Sequence, residues 1–148
     1  MEINGLPLHA LVVHAAVVFG PLAALTGVLY AVPRWRDNLR WPLVVSVGIA
    51  LVSIWVAYLS GEDLKEANTF GGELAALVET HEDRAGTLRL LVSGFAAASF
   101  VAAWQHSRTG AIRMLLAGLV AVLAILTGIW TGLTGDAGAQ IAWFGVNG

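Results

Sequence analysis

Two histidines, His9 and His14, lie within an apolar run over residues 6–25 that is long enough to cross a lipid bilayer. A third, His81, stands with Glu82 and Asp83 ahead of another such run, and Arg84 and Arg89 follow it. Ionisable side chains at membrane depth are costly and mark a ligand, a pathway or a mutual partner. Imidazole suits zinc, copper and iron. Two imidazoles at similar depth on facing helices suit a b-type haem, and bundle interiors are where such sites are built. On this reading His14 and His81 are the favoured iron ligands and His9 is the alternative to His14. Arg89 and Arg84 are then the propionate or charge partners. His9 and His14 are five residues apart, about 140° around a helix, so both cannot face one partner squarely. Two other readings use the same residues. In one, His14 and His81 join carboxylates of a neighbouring acidic segment in a non-haem metal site. In the other, His14 and Arg89 satisfy each other structurally.

The elements that must position these groups follow from composition. The chain has 148 residues, 57% of them hydrophobic and 12% charged, about half the charge of an ordinary soluble domain. A helix of roughly 20 apolar residues crosses a bilayer core. Four segments qualify, near 6–32, 41–60, 81–105 and 112–135, with an acidic loop at 61–80. The expected fold is an all-α integral membrane protein, a single four-transmembrane-helix bundle. The N-terminal run lacks a basic flank and outlasts a signal-peptide core, so it is expected to be a retained first helix.

Charge sets the expected topology. Arg34, Arg36 and Arg40 follow the first segment and Arg108 and Arg113 separate the third from the fourth. The middle loop carries Glu62, Asp63, Glu66, Glu73, Glu79, Glu82 and Asp83 against Lys65 and Arg84. Basic loops stay inside, so both termini and the acidic loop are expected outside a cytoplasmic (inner) membrane. Trp35, Trp41 and Trp104 then form an inner aromatic belt, with Trp143 at the outer face.

Counting at 1.5 Å per residue puts His14 about 7.5 Å deeper than His9, and Arg89 about 12 Å beyond His81. His14 therefore shares a layer with Arg89, and His9 with Arg84. His106 is expected alone and solvated at the inner interface. Pro21 should kink the first helix. Thr80 and Asp83 resemble a capping box that would start the third helix at His81. Ser60-Gly61-Glu62 and Thr134-Gly135-Asp136 read as similarly capped helix ends, or as traces of a duplication. Gly128 and Gly132 form a small-xxx-small face. It suits packing within the bundle, or docking of a homo-oligomer or a redox partner.

Several classes are excluded. There is no cysteine, which removes disulfides, iron–sulfur clusters and covalent haem attachment. A net charge of −2 without a basic cluster gives no footing for nucleic acid. No hydrolase, zinc-protease or P-loop pattern occurs, so the chain is not expected to be an enzyme on its own. An ion pathway would have only Thr26, Ser46 and Ser99 to continue it through the inner half.

The opening Gly5-Leu-Pro-Leu-His-Ala-Leu-Val-Val-His-Ala-Ala-Val-Val, then Ser60-Gly-Glu-Asp-Leu and His81, occur in one order over nearly the whole chain. In this the chain resembles short actinobacterial-type members of the membrane family catalogued as domain of unknown function 2231. The resemblance implies a small four-helix membrane protein. In some relatives the domain is joined to a Rieske-type iron–sulfur domain, which implies an electron-transfer setting. Ala10 stands where the family opening usually has proline. Phe144, within Ala137-Gly-Ala-Gln-Ile-Ala-Trp-Phe-Gly-Val, stands where many members carry a tail histidine.

Overall fold

The apolar runs fold as four long helices. The computed structural model describes residues 2–3 and 6–145; Gly5 of the opening motif and Val146 of the tail lie outside the described residues. A two-residue antiparallel pairing, β1 (Glu2–Ile3) with β2 (Leu6–Pro7), leads into α1 (Leu8–Ala31). It is followed by α2 (Arg36–Glu66), α3 (Gly72–Trp104) and α4 (Gly110–Ala142). All four helices are long and apolar enough to cross a membrane.

Each helix packs on two neighbours in the cyclic order α1–α2–α3–α4, so α1 and α3 face each other diagonally. Short connections make consecutive helices antiparallel, and the start of α1, the end of α2, the start of α3 and the end of α4 share one end of the bundle. The interior is filled by Tyr30, Val47, Val92, Phe95 and Val120 among many small residues, including Ala23, Ala50, Ala96 and Ala124. The exterior is apolar as well: Val18 is 60% exposed, Val52 63%, Leu90 65% and Leu115 72%. Burying small residues and leaving large aliphatic ones outside is the distribution expected where the surroundings are hydrocarbon.

Helices α2, α3 and α4 run further than hydropathy predicts, whereas α1 starts two residues later than expected because Leu6 and Pro7 pair in β2. Helix α3 begins nine residues before His81, because Gly72 adopts φ +58° and turns the chain straight into a helix behind Gly71. The loop expected over 61–80 thus shrinks to 67–71. The Thr80–Asp83 pair is not a cap: Thr80 donates its hydroxyl to the Ala76 carbonyl inside the helix. His81 therefore sits in the third turn of α3, within the bundle, and not at its entry. The Ser60-Gly61 and Thr134-Gly135 signatures likewise lie inside α2 and α4 and not at their ends. Pro21 is accommodated within an unbroken α1.

The tightest glycine positions among the described residues lie on α1. A Cβ at Gly20 would stand 2.8 Å from Thr131 Cγ2, and one at Gly27 would stand 2.7 Å from Phe95 Cζ and 2.8 Å from Ala124 Cβ. On α4, Gly128 faces Ala24 of α1, with 3.1 Å left for a Cβ, whereas Gly132 meets nothing within 4 Å. The two α4 glycines therefore do not form one outward face.

The opposite end of the bundle is held by a polar chain. The buried Tyr30 hydroxyl donates to the Ala102 carbonyl at 3.2 Å and lies 3.3 Å from His106 Nδ1. His106 Nε2 is 3.1 Å from the Asp37 carboxylate, and the Arg36 guanidinium covers the Tyr30 ring at 5.1 Å. His106 is thus a half-buried link between α1, α2 and α3, not the solitary solvated group expected. Its partners are out of reach of local sequence reasoning because they lie on two other helices. Tyr30→Phe removes the buried donor that satisfies Ala102 and should cost about 1–3 kcal/mol, read as a lower unfolding temperature in detergent.

Candidate functional site

At the end shared by the start of α1 and the end of α4, His9 and His81 face each other across the bundle diagonal. Their ring centroids are 6.3 Å apart and their planes are nearly perpendicular, at 86°. His9 Nδ1 is 2.8 Å from the Ala57 carbonyl of α2, and His81 Nδ1 is 3.0 Å from the Thr134 carbonyl of α4. A carbonyl oxygen only accepts, so each Nδ1 carries the proton and donates it. When neutral, each ring therefore keeps a lone pair on Nε2.

Each ring also lies against a glycine one helical turn beyond its carbonyl partner. A Cβ at Gly61 would stand 3.1 Å from His9 Cε1 and 3.2 Å from Nδ1, but 4.0 Å from Nε2. A Cβ at Gly138 would meet His81 in the same order, at 3.1, 3.5 and 4.0 Å. Both Nε2 corners are thus turned away from the neighbouring helix. The α1–α2 and α3–α4 hairpins repeat one device, with Ala57 and Gly61 matched by Thr134 and Gly138. The Ser60-Gly61-Glu62 and Thr134-Gly135-Asp136 signatures align Gly61 with Gly135 instead, one helical turn out of register.

The two rings line a cavity of about 530 Å³, within the roughly 300–1,000 Å³ of small-molecule sites. Its walls are mainly apolar, from Val13, Ile54, Leu88 and Ile141 among others, and Glu62, Lys65 and Glu82 also line it. Lys65 and Glu82 are ion-paired to each other, which ties α2 to α3 beside the opening.

The other sequence candidates are placed differently. His14 lines the same cavity, but its Nδ1 donates to the Ala10 carbonyl of its own helix at 2.8 Å, and it is exposed. The ring that faces His81 belongs to His9. Arg84 donates to the Leu133 carbonyl at 2.7 Å and lies 3.8 Å from Asp136. Arg89 lies over the Tyr58 ring at 4.3 Å and the Trp55 ring at 5.4 Å, outside the cavity lining. His14 and Arg89 thus each have partners elsewhere, and no bond joins them. Gly61 and Gly138 went unrecognised as site residues because a glycine in an apolar helix carries no chemical signal. Only a ring lying against it shows why a side chain is missing.

The donor set bears on what the cavity can hold. Metal–imidazole bonds of about 2.0–2.1 Å and a ring radius of about 1.2 Å put the centroids of two imidazoles flanking one ion roughly 6–6.5 Å apart. Donation of the second ring nitrogen to a backbone carbonyl is also the usual outer support of a metal-bound histidine. A bare ion needs three or four protein ligands, and no group of three histidine or carboxylate side chains spaced to hold one occurs among the described residues. Haem iron needs only two, because the porphyrin supplies the other four. In comparisons with family models, curated proteins and solved structures, none matches the chain.

Proposed function

We propose that this chain is a small multi-pass membrane protein that binds one b-type haem between His9 and His81 and serves as an electron-transfer module. The observation that carries the reading is the facing imidazole pair. Two Nδ1-anchored rings at 6.3 Å, each over a glycine, share one apolar cavity between diagonal helices. Such a group, when bound, supplies reversible one-electron chemistry. The chain's residues do the rest. Ala57 and Thr134 fix the tautomer and aim of the rings, Gly61 and Gly138 make room for them, and the apolar wall excludes water. Lys65 is the cation that lines the cavity, and it is placed to meet a carboxylate at the opening once it releases Glu82. The chain's resemblance to the domain of unknown function 2231 family agrees with a redox setting, and membership of that family belongs to the same proposal.

The orientation follows from charge. Arg34, Arg36, Arg40, Arg108 and Arg113 lie at the end opposite His9 and His81. By the positive-inside tendency that end faces the cytoplasm, and the haem site with both termini faces outward from an inner membrane.

A second reading has one observation in its favour. Each histidine already bonds its neighbouring helix, so the pair would also serve an accessory subunit as staples for the two hairpins. Haem titration separates the two. The apoprotein should take up one equivalent with a low-spin bis-imidazole spectrum, whereas a stapling role gives no saturable uptake. Gly138→Val should crowd the His81 ring and weaken uptake roughly 10–100-fold, as loss of outer-shell support does, with the bundle still monodisperse. Unchanged affinity in that variant would remove the glycine seat from the account.

A further inference from the structure

Arg89 is a guanidinium in the apolar part of a spanning helix, and it has no carboxylate partner among the described residues. Its guanidinium lies over two aromatic faces, Tyr58 at 4.3 Å and Trp55 at 5.4 Å. Its Nε is fully shielded and makes no hydrogen bond. Shielding a cation without an anion is expensive, and here only the two aromatic faces offset that cost within the described residues.

Directly beside it runs an apolar groove of about 590 Å³ between α2 and α3. Leu51, Val52 and Val56 form one wall, and Ala96, Ala97 and Phe100 the other. Trp55 and Ser93 stand at the end of the groove nearest Arg89. The two polar groups there satisfy each other: Trp55 donates its indole N–H to Ser93 Oγ at 3.0 Å, and Ser93 donates to the Arg89 carbonyl at 2.6 Å. The groove is left with nothing to offer but surface for a hydrocarbon chain. Along α2, Tyr58 lies beyond Trp55 toward the histidine end of the bundle. The guanidinium, closer to Tyr58, therefore reaches toward that end while the groove descends away from it. A long cationic side chain near a membrane boundary extends in this way toward the headgroups.

We infer that Arg89 and the α2–α3 groove form a binding site for one anionic phospholipid, with the phosphodiester on the guanidinium and an acyl chain along the groove. Arginine binds phosphate through several N–H donors in one plane, and a headgroup of net negative charge brings no cation to compete with it. The aromatic faces hold the guanidinium in place. This inference rests on the membrane reading above but not on haem, since Arg89 lies outside the haem cavity.

The test is native mass spectrometry of detergent-extracted protein offered phosphatidylglycerol or phosphatidylcholine. Wild type should retain one phosphatidylglycerol at least tenfold over phosphatidylcholine, and glycerol phosphate without chains should not displace it. Arg89→Gln should remove the preference, and Arg89→Lys should keep part of it. Ala97→Trp, which fills the groove and leaves the cation, should lose the lipid as well. Equal retention of both lipids, or full retention in Arg89→Gln, would overturn the site. Displacement by glycerol phosphate would overturn the role of the groove. Recovery of the chain without detergent would overturn the membrane reading beneath it, whereas a detergent-requiring chain with no bound phosphatidylglycerol would overturn the lipid site alone.

Discussion

His81→Ala and His9→Ala should each abolish the six-coordinate haem spectrum, while His14→Ala should leave it in place. In the two facing histidines each ring meets the other at 6.3 Å and spends its Nδ1 proton on a carbonyl of the adjacent helix. Each therefore has one nitrogen left to ligate. Removing either ring leaves five ligands at most, and the remaining histidine alone should hold haem only weakly through purification. His14 is bonded within α1 and exposed, so its loss should alter the cavity wall without removing a ligand. The experiment is an absorption spectrum of the three variants matched for protein. Loss in His14→Ala with retention in His9→Ala would transfer the ligand role back to His14, the residue favoured from the sequence.

Gly27→Val should be among the most damaging single changes in the chain, although Gly27 touches no ligand. Its missing Cβ is the reason α1 can lie on Ala124 of α4 and on Phe95 of α3, at 2.8 and 2.7 Å from where that atom would be. The Phe95 ring can swing by a few tenths of an ångström, but Ala124 Cβ is fixed to its backbone, so α1 and α4 must separate. Overpacking of this kind costs about 1–3 kcal/mol, which lowers the unfolding midpoint by roughly 2–12 °C in a protein of this size. Gly132→Val, whose Cβ would meet nothing within 4 Å, is the matched control and should melt as wild type does. Equal stability of the two variants would mean that α1 and α4 are not in the contact described.

What could be read from the chain and what could not divide along physical lines. Hydropathy locates four helices because it acts on composition over some twenty residues, and loop charge sets Trp35, Trp41, Trp104 and Trp143 near helix ends, whereas Trp55 and Trp130 lie within α2 and α4. Boundaries were misplaced where polar residues continue a helix beyond its apolar stretch. Glu62 to Glu66 extend α2, and Glu73 to Thr80 belong to α3. That nine-residue extension moves His81 from the helix entry into the third turn, while the depth count, which sets His9 in the layer of Arg84 and His14 in that of Arg89, agrees with His9 as the ring that faces His81. The interlocking glycines of α1 and the ring seats at Gly61 and Gly138 depend on which neighbour lies opposite, and that information is not local to any segment.

The haem site is tested most directly by an absorption spectrum of the detergent-purified protein, as isolated and after dithionite, with haem and protein quantified together. One haem per chain, with a Soret band and resolved α and β bands on reduction that vanish in His9→Ala and His81→Ala, is the result expected. A wild-type chain that stays featureless after expression with added haem, and takes up none on titration, would contradict the haem site and leave the facing histidines as staples of the bundle.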